Sequence, residues 1–222
     1  MNSVRRQIVI TADGSATIHL PDLDESYHSK HGALQEADHV FISNGLNLVA
    51  REPVSILEMG FGTGLNALLT LLRAKSRTVD YVGVEAFPVS FDEAKQMAYA
   101  SSMNAPELED VFLQIHQMPW NDPVQLTDHF TLEKKDIRFD EIDFVNRFDL
   151  VYFDAFGFRV QPELWSTEIF QLLYDALKPG GLLVTYAART VIKRNMEQAG
   201  FTVTKCPGPP GKREMMRASK AV

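Results

Sequence analysis

One stretch limits this chain more than any other: Ile56-Leu57-Glu58-Met59-Gly60-Phe61-Gly62-Thr63-Gly64-Leu65-Asn66. A short apolar strand runs into Gly-x-Gly-x-Gly and then into a segment with helical apolar spacing. Glycines let the backbone turn sharply and lie flat against a ligand that a Cβ would push away. From position 54 onward the chain repeats this alternation of short apolar runs and amphipathic segments, the pattern of a mostly parallel sheet with helices on both faces. Strands are predicted at Val54–Met59, Tyr81–Ala86, Phe130–Asp136, Asp149–Phe153 and Leu182–Tyr186. Helices are predicted at Leu65–Lys75, Ser90–Ala100, Pro106–Met118, Pro162–Leu177 and Thr190–Ala199. The gaps are long enough for right-handed crossovers of about a dozen residues. Two further strands, Thr202–Cys206 and Arg213–Ala218, flank Pro207-Gly208-Pro209-Pro210-Gly211 and predict an antiparallel C-terminal hairpin. The expected fold class is α/β, a Rossmann-like doubly wound sheet.

Residues 1–50 follow a different pattern. Ile8–Thr11 and Ala16–Leu20 lie on either side of Asp13-Gly14, a dipeptide suited to a tight hairpin. Leu34, Ala37, Val40 and Phe41 then fall at helical spacing, predicting a helix over Ala33–Ile42 that ends near Asn44-Gly45. With 222 residues against a usual ~100–200 per domain, the chain divides into a 1–50 extension, read as a lid, and one 51–222 domain. The start, Met1 to Arg6, is followed by too short an apolar run for an export signal. No uncharged apolar run reaches the ~18 residues of a membrane span. The single cysteine, Cys206, allows no intrachain disulfide and no Cys-rich metal site, which favours the cytosol.

The spacing at the glycines bears on the ligand. A dinucleotide fingerprint would be Gly-x-Gly-x-x-Gly, with glycine where Leu65 stands. Here the third glycine comes one position early, and Glu58 lies two residues before the first. A pyrophosphate beside that carboxylate would be repelled, whereas a cationic amino-acid group would be welcome. A ligand combining an amino acid, a sulfonium and an adenosine fits better, and that ligand is S-adenosylmethionine. Glu85, about 25 residues beyond Gly60, is placed to accept both ribose hydroxyls, as in any doubly wound nucleoside site, and so does not separate the two cofactors. Asp136, closing the third predicted strand, is a candidate for the adenine amino group. In an open parallel sheet ligands sit outside the carboxyl ends of the central strands. Asp154, Phe156 and Phe158 should therefore face the methyl donor, the carboxylate orienting a nucleophilic nitrogen while the rings hold a planar base. Tyr27 is a candidate to close over the cofactor.

Charge adds a direction. The chain carries 22 basic and 29 acidic residues, net −7, which excludes a generally basic nucleic-acid coat. From Arg189 to Val222, however, eight basic residues face two acidic ones, net +6, leaving −13 on the remainder. A polyanion would be met on one edge only. Lys212 and Arg213 are the candidates for phosphate contact.

These residues resemble the methyltransferase half of the bifunctional tRNA 5-methylaminomethyl-2-thiouridine biosynthesis proteins of MnmC type. The resemblance rests on Tyr27-His28-Ser29, Gly32-Ala33, His39-Val40-Phe41-Ile42, Glu58 with Gly60 through Asn66, Asp154-x-Phe156, Pro179-Gly180-Gly181 and Gly211-Lys212-Arg213-Glu214-Met215. It implies a class I S-adenosylmethionine-dependent methyltransferase that methylates the aminomethyl group of a tRNA wobble uridine. Cofactor contacts are implied at Gly60, Gly62, Gly64, Leu65, Asn66, Glu85 and Asp136, with Asp154 near the transferred methyl and no metal. The family's bifunctional members also carry an FAD-dependent oxidase domain, for which these 222 residues have no room, so a separate enzyme is expected to supply the amine. From the residues alone three alternatives stay open: methylation of a small-molecule amine, aminopropyl transfer, or a catalytically silent RNA-binding subunit.

Overall fold

The computed structural model describes residues 5–222. Met1–Val4, part of the start judged unlike an export signal, lie outside the described residues. The Asp13-Gly14 turn reverses the chain as expected: β1 (Gln7–Ile10) and β2 (Ala16–Leu20) pair antiparallel, and a two-residue β3 (Glu25–Ser26) adds to β2. α1 (Ala33–Ala37) begins where predicted, but the helix expected through Ile42 widens into a π-helical turn over Asp38–Ser43. Val40, Phe41 and Ile42 are all buried there, and three consecutive apolar residues need a broader inward face than an α-turn offers.

β4 (Val54–Met59), α2 (Leu65–Ala74) and β5 (Val79–Val84) form the first crossover unit. The helix expected over Ser90–Ala100 is two pieces, α3 (Phe91–Lys95) and α4 (Tyr99–Ser102), broken at Ala98, whose φ is 48°. Ser90 and Glu93 close a capping box at the start of α3, and the break lets Met97 and Tyr99 bury in one core. α5 (Glu109–Gln117) follows a 3-10 turn at Pro106–Leu108. β6 (Pro123–Thr127) went unforeseen; it is a half-exposed edge strand that opens on proline. β7 (Phe130–Lys135) and β8 (Phe148–Phe153) come next, then a 3-10 turn at Pro162–Trp165 and α6 (Thr167–Ala176). The chain ends with β9 (Leu177–Thr185), α7 (Thr190–Gln198), β10 (Thr202–Pro207) and β11 (Glu214–Ser219).

Among the described residues the main sheet has eight strands in the order β10-β11-β9-β8-β4-β5-β7-β6. The five from β9 to β7 are parallel, and β6 and the β10–β11 hairpin run antiparallel at the two edges. The chain builds outward from β4 to one side, then returns to place β8 on the other. That reversal opens a crevice at the carboxyl end of β4, where open α/β sheets bind ligands. Strand alternation divides β4 between two cores. Val54 and Ile56 face α2 together with Ile18 and Phe41 of the first fifty residues; Leu57 and Met59 face the layer of Trp165, Phe170 and Met196. No helix among the described residues is long and apolar enough to cross a membrane.

Candidate active site

A cavity of about 770 Å³ opens at the carboxyl ends of β4, β5 and β8, within the size range of small-molecule sites. Its floor is the glycine turn. Gly60 has φ 92°, and a Cβ there would fall 2.5 Å from the carbonyl oxygen of Asp154, so the turn can approach β8 this closely only as glycine. Gly62 has φ 51°, and its Cβ position lies 3.1 Å from the ring of Tyr27, which folds over the turn from the loop after β3. Tyr27 meets Phe156 edge-on at 5.0 Å, and burial pushes its phenol up to about 12.

The acids at the strand ends have three different fates. Glu85 follows β5 directly; one carboxylate oxygen accepts from the Gly62 amide and the other from the Phe87 amide, both at 2.9 Å. Each oxygen keeps a lone pair for a ligand hydroxyl. Asp154 follows β8 directly and lines the cavity, its amide donating to the Met59 carbonyl at 2.9 Å. Burial pushes its carboxyl up to about 7; Glu36 adds to the rise, while a hydrogen bond from Asn66 and the charge of Lys212 oppose it.

Glu58 differs from expectation. It lies inside β4 on the face covered by α2, fully buried and away from the cavity wall, so it does not meet a ligand's cationic group directly. Burial holds its carboxyl well above the ordinary value. Tyr81 donates its hydroxyl to one Glu58 oxygen at 2.8 Å, and Asn66 Nδ2 donates to the other at 2.8 Å. The same Nδ2 donates to Asp154 at 2.9 Å. Asn66 thus joins a buried acid to the cavity acid, and its Oδ1 is the buried side-chain oxygen without a partner among the described residues.

Other expectations change as well. Asp136 is exposed on the far side of β5, and Phe139 and Asp140 from the next turn take the cavity wall. Gly64 caps α2 behind the wall, whereas Leu65 and Asn66 reach it. Phe156 lines the cavity; Phe158 lies outside it beneath the Arg189 guanidinium, 5.6 Å away. Of the predicted phosphate pair, Arg213 is exposed and off the wall, but Lys212 turns inward, paired with Glu36 and 3.9 Å above the Tyr186 ring. Sequence reasoning missed Glu36 and Tyr186, which carry no motif of their own. It also missed Trp165, whose Nε1 donates to the Phe156 carbonyl at 2.8 Å and, with the Tyr186 hydroxyl on Ala155 O at 2.8 Å, fixes the loop after β8.

The sequence model of a family described as S-adenosyl-L-methionine-dependent methyltransferase matches residues 102–221. This chain belongs to that family. As a methyltransferase it is 32% identical over 224 residues to the tRNA 5-methylaminomethyl-2-thiouridine biosynthesis bifunctional protein MnmC of Cupriavidus metallidurans, a match covering 93% of this chain and 33% of that protein. It is 31% identical over 211 residues to the protein of the same name from Leptospira borgpetersenii serovar Hardjo-bovis, covering 87% of this chain and 32% of that protein. The chain spans about a third of the length of the curated relatives it matches. Among solved structures, MNMC2 from Aquifex aeolicus superposes with a TM-score of 0.76 at 23% identity, covering 100% of this chain and 72% of that one. Spermidine synthase from Thermotoga maritima gives 0.54 at 17%, covering 97% and 73%. At those identities the likeness is one of fold, the class I methyltransferase fold expected from the sequence, and the methyl donor of the family is S-adenosylmethionine.

The residues present fit that donor. The turn at Gly60 and Gly62 leaves backbone open where side chains would intrude, and Glu85 is anchored with lone pairs to spare. Carboxylates of Glu25, Glu36, Glu85, Asp140 and Asp154 outnumber the cations on the wall, an environment suited to a sulfonium and an ammonium.

Proposed function

We propose that this methyltransferase acts on the aminomethyl group of the wobble uridine in tRNA, converting 5-aminomethyl-2-thiouridine to 5-methylaminomethyl-2-thiouridine in the cytoplasm. The observation that carries the assignment is Asp154, a carboxyl poised near neutral pH on the wall of an acidic cavity and fixed by Asn66. The curated relatives, named for synthesis of that nucleoside, support the choice of acceptor.

Bound S-adenosylmethionine supplies an electrophilic methyl on a positive sulfur. Gly60 and Gly62 would receive its amino-acid portion, Glu85 its ribose hydroxyls, Phe139 and Asp140 its adenine, and Tyr27 would cover it. An alkylamine has an ordinary pKa of about 10, as for lysine, and arrives as an ammonium without a free lone pair. Desolvation in the cavity and the nearby positive sulfur both lower that value. Asp154 accepts a hydrogen from the amine nitrogen and points its lone pair at the methyl carbon. The donor would supply its methyl to that lone pair, its sulfur keeping the former bonding pair, and Asp154 or water would take the proton the nitrogen then sheds. Glu58 and Tyr81 touch none of the reacting atoms; through Asn66 they hold Asp154 in place.

Incubation of the chain with labelled S-adenosylmethionine and tRNA bearing the free aminomethyl group tests this. Label is expected in the wobble nucleoside by mass spectrometry, with none in tRNA lacking the aminomethyl group, and Asp154→Asn should bind the donor but transfer poorly. Equal labelling of both tRNAs, or of free alkylamines alone, would refute the assignment.

A further inference from the structure

Lys212 was expected on the outside, against phosphate, and the structure turns it inward. It lines the cavity that holds Asp154, with its Nζ paired to Glu36 and resting 3.9 Å above the face of Tyr186. The Tyr186 hydroxyl in turn donates to the carbonyl of Ala155, the residue next to Asp154, so one rigid scaffold sets both groups. We propose that Lys212 donates a hydrogen bond to the 4-carbonyl oxygen of the target pyrimidine, so that Lys212 and Asp154 together select a uracil ring carrying a 5-aminomethyl arm. This rests on the acceptor assigned under the proposed function.

An ammonium has three N–H donors and no acceptor. The Glu36 carboxylate and the Tyr186 ring face occupy two directions, leaving a donor for the cavity. The positive charge is already balanced by Glu36, and Glu25, Glu85 and Asp154 add negative potential on the same wall. A phosphate would be repelled there, while a neutral carbonyl is not. Phosphate is left to residues such as Arg213, exposed and without an ion pair among the described residues. In a 5-substituted uracil the 4-oxygen and the amine arm sit on adjacent ring atoms, one an acceptor for lysine, the other a donor to aspartate. Cytosine offers a 4-amino donor at that place, which an ammonium cannot accept.

Anticodon stem-loops carrying 5-aminomethyluridine or 5-aminomethylcytidine at the wobble position, assayed with the full chain, test the inference. The unaltered chain should favour the uridine loop by at least about tenfold in kcat/KM. Lys212→Met should lose roughly tenfold on that loop with an unchanged salt slope, and Lys212→Gln, whose amide both donates and accepts, should bring the uridine-to-cytidine ratio toward one. Affinity for S-adenosylhomocysteine should stay within about twofold in both. Should either variant unfold, Glu36→Gln/Lys212→Gln leaves no unpaired carboxylate and repeats the measurement. A salt slope flattened by about one charge in Lys212→Met would make Lys212 a phosphate contact and overturn the inference, as would an unchanged base preference in Lys212→Gln. An unaltered chain that methylates neither loop would instead overturn the proposed function.

Discussion

Placed beside Asp154, a sulfonium donor should release a proton as it binds. Without ligand the Asp154 carboxyl sits at about 7, because burial and the neighbouring Glu36 outweigh the hydrogen bond from Asn66 and the charge of Lys212. At pH 6 roughly nine-tenths of the molecules then hold a proton on Asp154. A positive sulfur brought alongside favours the ionised form, and an opposite charge at close range lowers a carboxyl by about 1–3 units. A shift of 1 to 2 units at pH 6 corresponds to about 0.4 to 0.8 proton released per donor bound. The same shift makes S-adenosylmethionine bind roughly ten- to fifty-fold more tightly at pH 8 than at pH 5. S-adenosylhomocysteine, identical but for the charge and the methyl, should show a much flatter profile. Titration calorimetry at pH 6 in buffers of different ionisation enthalpy reads proton release directly, and Asp154→Asn should abolish the part that separates the two ligands. Equal proton release for both ligands, or a release that survives in Asp154→Asn, would refute the placement of the sulfonium beside this carboxyl.

Gly62→Val puts a branched side chain at φ 51° with its Cβ 3.1 Å from the Tyr27 ring; donor affinity should fall at least about tenfold by calorimetry, and unchanged affinity would remove the turn from the site. Asp149 lies buried at the opposite end of β8, accepting from Arg51, Lys178 and the Ser55 amide, each at 2.9 Å. Asp149→Ala should cost about 3–5 kcal/mol in denaturant melts while leaving any folded fraction with normal donor affinity, the reverse of Asp154→Asn. Burial lowers His28 and His116 to about 4, so between pH 6.5 and 4 the unfolded chain takes up protons that the folded one refuses. The stability these rings contribute is full above pH 6.5 and lost as pH falls toward 4; a midpoint near 6.5 for either ring in an NMR titration would contradict their burial.

What the sequence made legible follows from where its signals are local. The hairpin at Asp13-Gly14, the parallel strands and the helix after Gly64 were readable because turn chemistry and apolar period agree there. The π-helical turn at Asp38–Ser43 was not, since Val40-Phe41-Ile42 satisfies an α-helical spacing until tertiary packing requires all three to be buried. The break at Ala98 likewise answers to burial of Met97 and Tyr99 from opposite sides of one residue, with no glycine or proline to mark it. β6 gains its pairing from β7 and shows only Val124 and Leu126 as apolar positions.

The site follows the same division, and depth within the strand decides it. Glu85 and Asp154 each stand one residue past the last residue of a strand flanking β4, their amides still bonded to Lys135 O and Met59 O, and both line the crevice. Asp136 holds the equivalent place on β7, one strand farther from the reversal, and is exposed and off the cavity wall. Glu58 shares their alternation but lies two residues earlier in register, inside β4 and under α2 beside Tyr81 and Tyr152. Desolvation in that layer raises its carboxyl well above the ordinary value, and its link to the cavity passes through the Asn66 amide. The acid that the glycine motif advertises most strongly therefore lies buried behind the acid on the cavity wall, a two-residue step in register that only the strand pairing makes visible.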